Sequence, residues 1–468
     1  MLRAALAASS VAFAAVAQGG SAPAAQSAPP VQPPPEMAQP PAPPPANALT
    51  LERAIQLALE RNYDLRRSEY QALSAGQDVV IARAAILPKL NVNGSLSDTR
   101  IGGGQVTGTF VDPLTGQEVV QIARTEVFRG YSASLSATQL LFDGGKWWNN
   151  LAAFDLTLSS SQANLEEQRL TTVFTVEQRF YELVRQQRQL VVLGEAAKRS
   201  RDQAEFVQRL FEGGRATQAD VYAARTNRDS DEINRLGQEA RVELARQDLA
   251  LSIAADPAEP LTIVEPAAMQ QDPAAPPPAP DAVQTALARR PSLKAFALAA
   301  QAQQKNAAAA KGDYWPTLSL SGSYGRLTRS AADFTRSLDE ASTLRGSLDL
   351  TWNLFNGFAT KATVEKAEIN TLLAENDLAN GRRGVASDVE RAVAQLAVAG
   401  QQTRISVQTL QTASENLRLA RTRQQVGVGT QLEVRDAELK LTQAALARDN
   451  ALVDGHEAES ALRRATGG

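Results

Sequence analysis

The chain has 468 residues, no cysteine, a single histidine (His456) and a formal net charge of −3. Zinc sites, thiol catalysis and histidine-based acid–base chemistry are therefore nearly excluded, and there is no basic surplus for binding nucleic acid. His456 stands among charged residues near the C-terminus, and we expect it to be a solvated helix residue.

The N-terminal residues 1–17 are typical of a signal peptide. Arg3 precedes an alanine-rich apolar run, and Ala15-Val16-Ala17 offers a small-x-small cleavage site. Because no cysteine follows, we expect no acylated N-terminus. Residues 18–48 are rich in Pro and Ala and predict an extended tether that builds no core. These features place the mature protein in the periplasm or the outer membrane.

The remainder of the chain is a tandem duplication. We assign residues 49–255 and 281–468 to the two repeats and the Pro-rich residues 256–280 to a connector. In each repeat a helical pattern of about 35 residues ends at a proline, Pro88 or Pro316, and the hydrophobic period then changes to two. Equivalent positions of the two repeats are separated by more residues before the loop that joins the two strands than after that loop. The loop of the first repeat is therefore longer than the loop of the second.

Each repeat predicts two strands in which apolar residues alternate with Ser, Asn or Thr. Leu90 begins the first strand, and the second runs from Tyr131 to Phe142. Four strands of about 8–12 residues have the length that crosses a bilayer when tilted. A soluble sandwich with one solvated face would show the same alternation, although the signal peptide and the long helices favour a membrane. The aromatic residues at the strand ends are either interfacial or pack between helix and strand: Phe142, Trp147, Trp148, Tyr314, Trp315, Trp352 and Phe355.

A long stretch without proline follows each strand pair, from Gly144 to Gly214 and from Gly357 to Gly427. A helix of this length would span roughly 105 Å, and a shorter helix of about 40 residues follows it. A seven-residue apolar stripe predicts a coiled-coil seam. The members of the stripe are Val176, Leu183, Leu190, Ala197, Ala204 and Phe211, and then Val389, Leu396, Leu410 and Leu417, with Thr403 as an interruption.

The same short motif separates the long helix from the short one in both repeats. Gly214 aligns with Gly427, and Thr217 aligns with Thr430 at the same offset. Glycine gives the backbone the freedom to end one helix, and threonine can cap the next. Each copy therefore predicts the tip of an αα-hairpin.

The order of helix, proline, two strands, F-[D/N]-G, long helix and V-G-x-x-T-x-L-[D/E]-V over residues 49–466 resembles the TolC-type outer-membrane efflux protein family. The resemblance implies an α+β membrane protein. It would be a homotrimer whose strands form one 12-stranded β-barrel, joined to a periplasmic α-helical barrel of long coiled-coil helices. It also implies docking to a periplasmic adaptor protein and an inner-membrane transporter, contact with outer-membrane lipid, and neither catalysis nor a cofactor.

The resemblance also implies roles for particular residues. The hairpin tips would dock the adaptor, through Gly214, Arg215, Thr217, Gly427, Gly429 and Thr430. The gate at the periplasmic entrance would be formed by Glu433, Asp436 and Asp220. Since Glu433 and Asp436 are three residues apart, they share one helix face, and three chains would bring six carboxylates into a ring that favours cations. Like-charge repulsion should raise the pKa of some of these carboxyl groups.

The chain departs from the family pattern beside this gate. The family carries an Arg where this chain has Gly429 and a Tyr where it has Gln424. The polar lock between hairpins must therefore use other groups, and Asp220, Arg215 and Arg435 are candidates.

Two other functions are compatible with parts of the sequence. The carboxylate pairs Glu166-Glu167 and Asp229/Asp231 could indicate a hydrolase, but on long helices we expect them to form a solvated face. The sequence has no nucleophile–base pair, phosphate loop or metal-ligand spacing. A non-conducting, structural coiled-coil protein that spans the periplasm would not need four strands of lipid-crossing length. The favoured function is an exit duct for drug efflux, metal efflux or protein secretion, whose substrate is chosen by the transporter and the adaptor.

Overall fold

A computed structural model describes residues 49–102, 106–122, 126–334 and 342–468. These residues belong to one compact unit, Asn47–Gly468. The expected signal peptide (1–17) and tether (18–48) lie outside the described residues.

Helices and strands follow one another in the same order in both halves of the chain. The first half contains α1 (Leu51–Arg61), α2 (Tyr63–Ala84), β1 (Lys89–Ile101), β2 (Val106–Val111), β3 (Glu118–Ile122), β4 (Glu126–Phe142), α3 (Lys146–Glu212) and α4 (Gln218–Ser252). The second half contains α5 (Ala279–Arg289), α6 (Pro291–Lys311), β5 (Thr317–Thr328), α7 (Ala331–Phe334), β6 (Ser342–Thr351), α8 (Ala359–Gln425) and α9 (Gln431–Thr466).

The two long helices are confirmed. α3 and α8 each have 67 residues, or roughly 100 Å at the usual rise per residue. α3 packs against α4, α8 packs against α9, and α3 also packs against α9, so the four helices lie in the order α4–α3–α9–α8. Within the described parts of the chain, no helix combines the length and the apolar character needed to cross a membrane.

Most of the predicted seam is buried between the paired helices. Four of the six positions on α3 and three of the four on α8 are buried: Val176, Leu183, Ala197, Ala204, Val389, Leu396 and Leu417. Leu190 and Leu410 are half-buried, and Phe211 is exposed near the tip. Thr403 does not interrupt the seam, because it is buried and its hydroxyl lies 2.9 Å from the carbonyl of Ala399 and 3.1 Å from that of Ala451. A threonine whose hydroxyl is satisfied this way can occupy an apolar position.

The expectation of one continuous helix before each strand pair is wrong, because both segments are broken into two helices. Asn62 ends α1 and caps α2, since its side-chain oxygen accepts hydrogen bonds from the backbone N–H groups of Asp64 and Leu65 at 2.9 and 3.1 Å. In the second half Pro291 begins α6 and holds the preceding Arg290 in an extended conformation.

The four long strands form one antiparallel sheet in the order β1-β4-β5-β6. Within the described residues, β1 and β6 each have a single neighbour in this sheet, so both edges are open. β4 has 17 residues and begins at Glu126, earlier than the predicted Tyr131. The longer first loop contains the separate hairpin of β2 and β3.

The register of the sheet separates apolar from hydroxyl side chains as the alternation predicts. Leu90 faces Ala137, and Leu320 faces Leu348. One face carries Leu90, Val92, Leu96, Tyr131, Ala133, Leu135, Leu318, Leu320, Tyr324, Leu344, Leu348 and Leu350. The other carries Asn91, Asn93, Ser95, Ser97, Ser132, Ser134, Ser136, Ser319, Ser321, Ser323, Arg345, Ser347 and Asp349.

The Pro-rich connector packs against the middle of α3. Met269 is fully buried in a core cluster with Phe180 and Leu183. Leu49 and Ile263 form a parallel β-bridge, in which the backbone N–H of Leu49 donates to the carbonyl of Thr262 at 2.8 Å. The connector is therefore part of the core at mid-height and not only a spacer.

The expectation that His456 is solvated is wrong. The side chain is 4% exposed, and its ring stacks on Tyr181 with centroids 6.0 Å apart. Nδ1 lies 3.2 Å from a carboxylate oxygen of Glu459, and Nε2 lies 3.3 Å from the carbonyl of Gln271. The connector covers this face of α9, and the helical pattern of α9 contains no sign of that contact.

A close contact beside His456 gives a test of how tightly the connector packs. A Cβ at Gly455 would lie 2.6 Å from Cγ of Pro273, so Gly455→Ala must displace the connector. We expect this substitution to lower the stability by about 1–3 kcal/mol. The control is Gly194→Ala in α3, where a Cβ would meet nothing within 4 Å, and we expect no loss and a gain of up to about 1 kcal/mol. Thermal unfolding followed by circular dichroism measures both, and equal melting temperatures would contradict the contact.

Candidate functional site

The first hairpin tip joins the end of α3 to the start of α4. Gly214 has a φ of +71°, in the left-handed region that favours glycine, as the sequence predicted. Thr217 caps α4, since its hydroxyl accepts from the backbone N–H of Asp220 at 3.2 Å. The Asp220 carboxylate accepts in return from the backbone N–H and the hydroxyl of Thr217, at 2.9 and 2.7 Å. The pair is a complete capping box.

The capping box determines the ionisation of Asp220. Hydrogen bonds from the Thr217 hydroxyl and then from its backbone N–H lower the pKa of Asp220 below the ordinary 3.8. Because the folded pKa is depressed, the stabilisation is fully present above that ordinary value and is lost as the pH falls through the lowered pKa. At neutral pH the Asp220 carboxylate is charged and bound to its own hairpin.

The second tip joins α8 to α9 with a similar backbone and different contacts. Gly427 has a φ of +82°, and the backbone N–H groups of Val428 and Gly429 both donate to the carbonyl of Arg423 at 3.0 Å. Thr430 caps α9, since its hydroxyl accepts from the backbone N–H of Glu433 at 3.2 Å. The two predicted αα-hairpins and their threonine caps are confirmed.

Gly429 is required for a reason that the sequence did not reveal. A Cβ at this position would lie 2.8 Å from the backbone nitrogen of Gln424 and 3.0 Å from the carbonyl carbon of Arg423. Both are backbone atoms that cannot rotate away. An arginine, which the family pattern places here, would not fit this tip without a different backbone.

The predicted gate residues Glu433 and Asp436 are both exposed, and each has a basic neighbour in its own chain. The Glu433 carboxylate lies 3.8 Å from Nε of Arg423, and the Asp436 carboxylate accepts from Lys440 at 2.6 Å. Neither cation is among the predicted gate residues. The (i, i+4) spacing of Asp436 and Lys440 was the available signal for one of them.

Among the candidates for the polar lock, Arg215 is exposed at the first tip and Arg435 is bound elsewhere. Arg435 donates two hydrogen bonds to Asp231 of α4, at 2.6 and 3.0 Å. The side chains of Asp231 and Arg435 are 10% and 19% exposed. They are 204 residues apart in the chain, and no sequence pattern links them.

The expectation that the paired carboxylates are solvated is therefore wrong for one member of each pair. Asp231 is buried against Arg435, and Glu167 accepts hydrogen bonds from Arg290 and from the backbone N–H of Ser292 at 3.2 Å. Both face a neighbouring helix, which a pattern on one helix cannot show. Asp229 is exposed and is paired with Arg228 of its own helix.

The aromatic residues at the strand ends differ in burial. Trp147 is buried, and its ring N–H donates to the carbonyl of Ala82 at 2.8 Å, so it packs α3 against α2. The others are exposed in the single chain: Phe142, Trp148, Tyr314, Trp315, Trp352 and Phe355.

The described residues near the hairpin tips form a groove that carries charged side chains. A groove of about 290 Å³ lies between the hairpins and is lined by Gln203, Asp220, Leu432, Arg435 and Glu438, among others. Among the residues with described side chains, no group of three or more His, Cys, Asp or Glu could hold a metal ion.

Comparisons with known proteins agree with this architecture. The sequence profile of a family described as outer membrane efflux protein matches residues 54–255 and 282–468. No curated protein matches the chain significantly.

Several solved structures share the fold. CusC is 20% identical with a TM-score of 0.76, covering 89% of this chain and 92% of CusC. The outer membrane channel CmeC of Campylobacter jejuni is 18% identical with a TM-score of 0.74, covering 89% of this chain and 85% of CmeC. The outer membrane protein VceC of Vibrio cholerae is 18% identical with a TM-score of 0.73, covering 89% of this chain and 96% of VceC. At this level of identity the likeness concerns the fold alone.

The different roles of the two glycines at the second tip can be tested by substitution. Gly427→Asn should cost no more than about 1 kcal/mol, because asparagine tolerates the left-handed conformation and a Cβ there meets nothing within 4 Å. Gly429→Ala should cost about 1–3 kcal/mol, because its Cβ collides with backbone. Hydrogen exchange at the tip measures both. Equal protection in the two variants would argue against the collision.

Proposed function

Because the chain belongs to the outer membrane efflux protein family, we propose that it is the outer-membrane exit duct of a tripartite efflux or type I secretion system. The observation that carries this proposal is the four-stranded sheet with two open edges, one apolar face and one hydroxyl face. Substrates would pass from an inner-membrane transporter through a periplasmic tunnel of helices and then through the barrel.

The open edges support assembly with other copies. Four strands cannot close a barrel, and lipid offers no hydrogen-bonding partner for an unpaired strand edge. β1 of one chain would pair with β6 of the next, and three chains would give a closed barrel of twelve strands. The proposed assembly is therefore a homotrimer.

The two faces of the sheet indicate which side of each strand would point outward in this barrel and which side would point inward. Its apolar face would contact outer-membrane lipid, and its hydroxyl face would line a water-filled lumen. Cross-strand hydroxyl contacts already link that face, at 2.7 Å between Ser95 and Ser132 and at 2.6 Å between Ser321 and Ser347. A structural coiled-coil protein without a pore has no need for such a face.

The helices also leave surfaces that a second copy would cover. α4 and α8 lie at the two sides of the four-helix layer, and both expose large apolar side chains. These residues are Tyr222, Ile233, Leu236, Leu244 and Leu251 on α4, and Ile369, Leu372, Leu373, Val398, Ile405, Val407 and Leu419 on α8. Exposed apolar surface of this extent marks an interface, and α4 of one chain would meet α8 of the next.

The hairpin tips at the far end of this layer are the proposed docking surface for a periplasmic adaptor protein. They lie at the opposite end of α3 and α8 from the sheet and expose Gly214, Arg215 and Gly427. The chain would act without a cofactor and without catalysis, and the inner-membrane transporter would supply the energy. The localisation that follows is the outer membrane, with a large periplasmic portion.

Reconstitution tests the duct function. The purified full chain should assemble as a trimer by native mass spectrometry and should conduct ions across a planar lipid bilayer. Heat-denatured protein is the control for leakage. A folded trimer that inserts into the bilayer and never conducts would refute the duct and favour the structural alternative.

The proposed gate gives a more specific prediction. In the trimer, Glu433 and Asp436 would form a ring of six carboxylates that favours cations, although Arg423 and Lys440 offset part of that charge. Replacing both acids with lysine should shift the reversal potential in a salt gradient toward anions. Glu166→Lys, which lies on α3 far from the tips, is the control and should leave the reversal potential unchanged. Unchanged selectivity in an assembled double variant would remove Glu433 and Asp436 from the lumen.

A further inference from the structure

The apolar face of the sheet ends in charged residues where β1 and β4 lie farthest from the helices. On β1 this face carries Leu90 and Leu96, and then Asp98 and Arg100. On β4 it carries Arg129, which faces Asp98 across the strand pair. Arg100 is four residues beyond Leu96, or roughly 13 Å along the strand. The charged residues therefore lie just beyond the apolar band, on the same side of the sheet.

The two ends of the apolar band differ in chemistry. At the end next to the helices, Trp148, Trp315 and Trp352 are exposed, and indole rings are suited to the boundary between lipid and water. At the far end, the apolar face carries Arg100 and Arg129 instead. A guanidinium group presents a planar fork of donors that matches the oxygens of a phosphate. The far end is therefore suited to a lipid headgroup that carries phosphate.

The charged residues at this end form a group with a positive surplus. Nε of Arg129 lies 3.4 Å from a carboxylate oxygen of Asp98, and both side chains are more than half exposed. Arg100 is exposed and faces Val127, so it is the diagonal neighbour of Arg129 on this face. Diagonal neighbours in a sheet are about 7–8 Å apart, which is within reach of two long side chains. One anion could therefore contact both guanidinium groups, while a single carboxylate offsets part of their charge.

A third arginine on the same face is already used inside the chain. Arg326 of β5 faces Ala133, which places it on the apolar face. Its side chain is buried, and its guanidinium donates to the backbone carbonyl of Asp333 in α7 at 2.8 Å. Arg326 therefore holds the loop after β5, whereas Arg100 and Arg129 are exposed to the surroundings of the sheet.

The duplication indicates what would lie beside Arg100 in the proposed trimer. Tyr131 of β4 faces Thr328 of β5. Thr328 and Arg100 each lie 12 residues after the proline that precedes the strands, and Tyr131 and Leu344 each lie 13 residues before the glycine that follows them. The contact of β4 with β5 thus predicts that Leu344 of the next chain would lie opposite Arg100. An aliphatic side chain beside a guanidinium group is suited to a lipid that has both acyl chains and phosphate.

We propose that Arg100 and Arg129 bind the phosphate of a glycolipid in the outer leaflet of the outer membrane. The acyl chains of this lipid would lie against the apolar band, and its phosphate would lie between the two guanidinium groups. Basic groups at a membrane surface attract anionic headgroups in this way. Asp98 limits the affinity, because its carboxylate competes with the phosphate for Arg129. The inference rests on the proposed function in one respect, namely that this face of the sheet contacts outer-membrane lipid.

Native mass spectrometry of the purified full chain with added lipid tests this site. The probes are lipid A with two phosphates and lipid A from which one phosphate has been removed. The unaltered protein should bind the first probe about fivefold more tightly than the second. Arg100→Gln and Arg129→Gln should each weaken binding of the first probe about fivefold, which is the usual contribution of one basic residue near a charged surface. Asp98→Asn should strengthen binding about twofold or more, because it removes the competing carboxylate.

Arg345→Gln is the matched control, since Arg345 is exposed on the hydroxyl face of β6, and it should leave the affinity for both probes unchanged. Equal binding of the two probes, or a loss in Arg345→Gln as large as that in Arg100→Gln, would overturn the inference. If an arginine variant fails to assemble, which the same spectra reveal, weaker binding in Asp98→Asn would also overturn it.

Conductance separates this inference from the proposed function. An unaltered protein that binds the doubly phosphorylated lipid as expected and never conducts would count against the duct alone. An unaltered protein that conducts and does not distinguish the two lipids would count against the lipid site alone.

Discussion

Backbone hydrogen bonding at the two open edges of the sheet is the constraint on which the rest of the molecule depends. β1 and β6 each have one neighbour in the described chain, so both edges of the sheet are free to pair with a further strand. The proposed barrel of three chains requires both edges of each sheet to be free. It also requires the helices of each chain to contact the helices of the neighbouring chain on each side. The apolar side chains exposed on α4 and α8 satisfy that second requirement. The proposed assembly thus explains both the incomplete sheet and the incompletely covered helical layer.

Periodicity revealed those parts of the fold that depend on contacts within one element or between adjacent elements. The strand alternation separated Leu90 from Asn91, the seven-residue stripe placed Val176 and Leu183 inside, and the glycine–threonine motifs located both tips. Contacts between segments that are far apart in the chain could not be predicted from the sequence. The burial of His456 under the connector, the contact of Asp231 with Arg435, and the lack of space at Gly429 arise from tertiary packing, which one-dimensional spacing does not encode.

The helical layer uses two kinds of seam with different physical properties. Inside each hairpin the apolar stripe of α3 or α8 supplies hydrophobic stabilisation that depends little on exact orientation. Between the hairpins, arginines and carboxylates supply contacts that are directional and sensitive to the loss of either partner. This division lets one chain combine two stable hairpins with a defined arrangement of their tips.

The contact between Gln203 and Gln431 breaks a symmetry that the duplicated sequence suggests. Gln431 is the first residue of α9, whereas α3 continues for nine residues beyond Gln203 before it ends at Glu212. The first tip therefore projects past the second, by roughly 13 Å at the rise of an α-helix. The proposed trimer would have six hairpins, and this stagger would make longer and shorter hairpins alternate around its rim. A partner that approaches along the threefold axis of this trimer would contact three equivalent positions on the longer hairpins before it reaches the shorter hairpins.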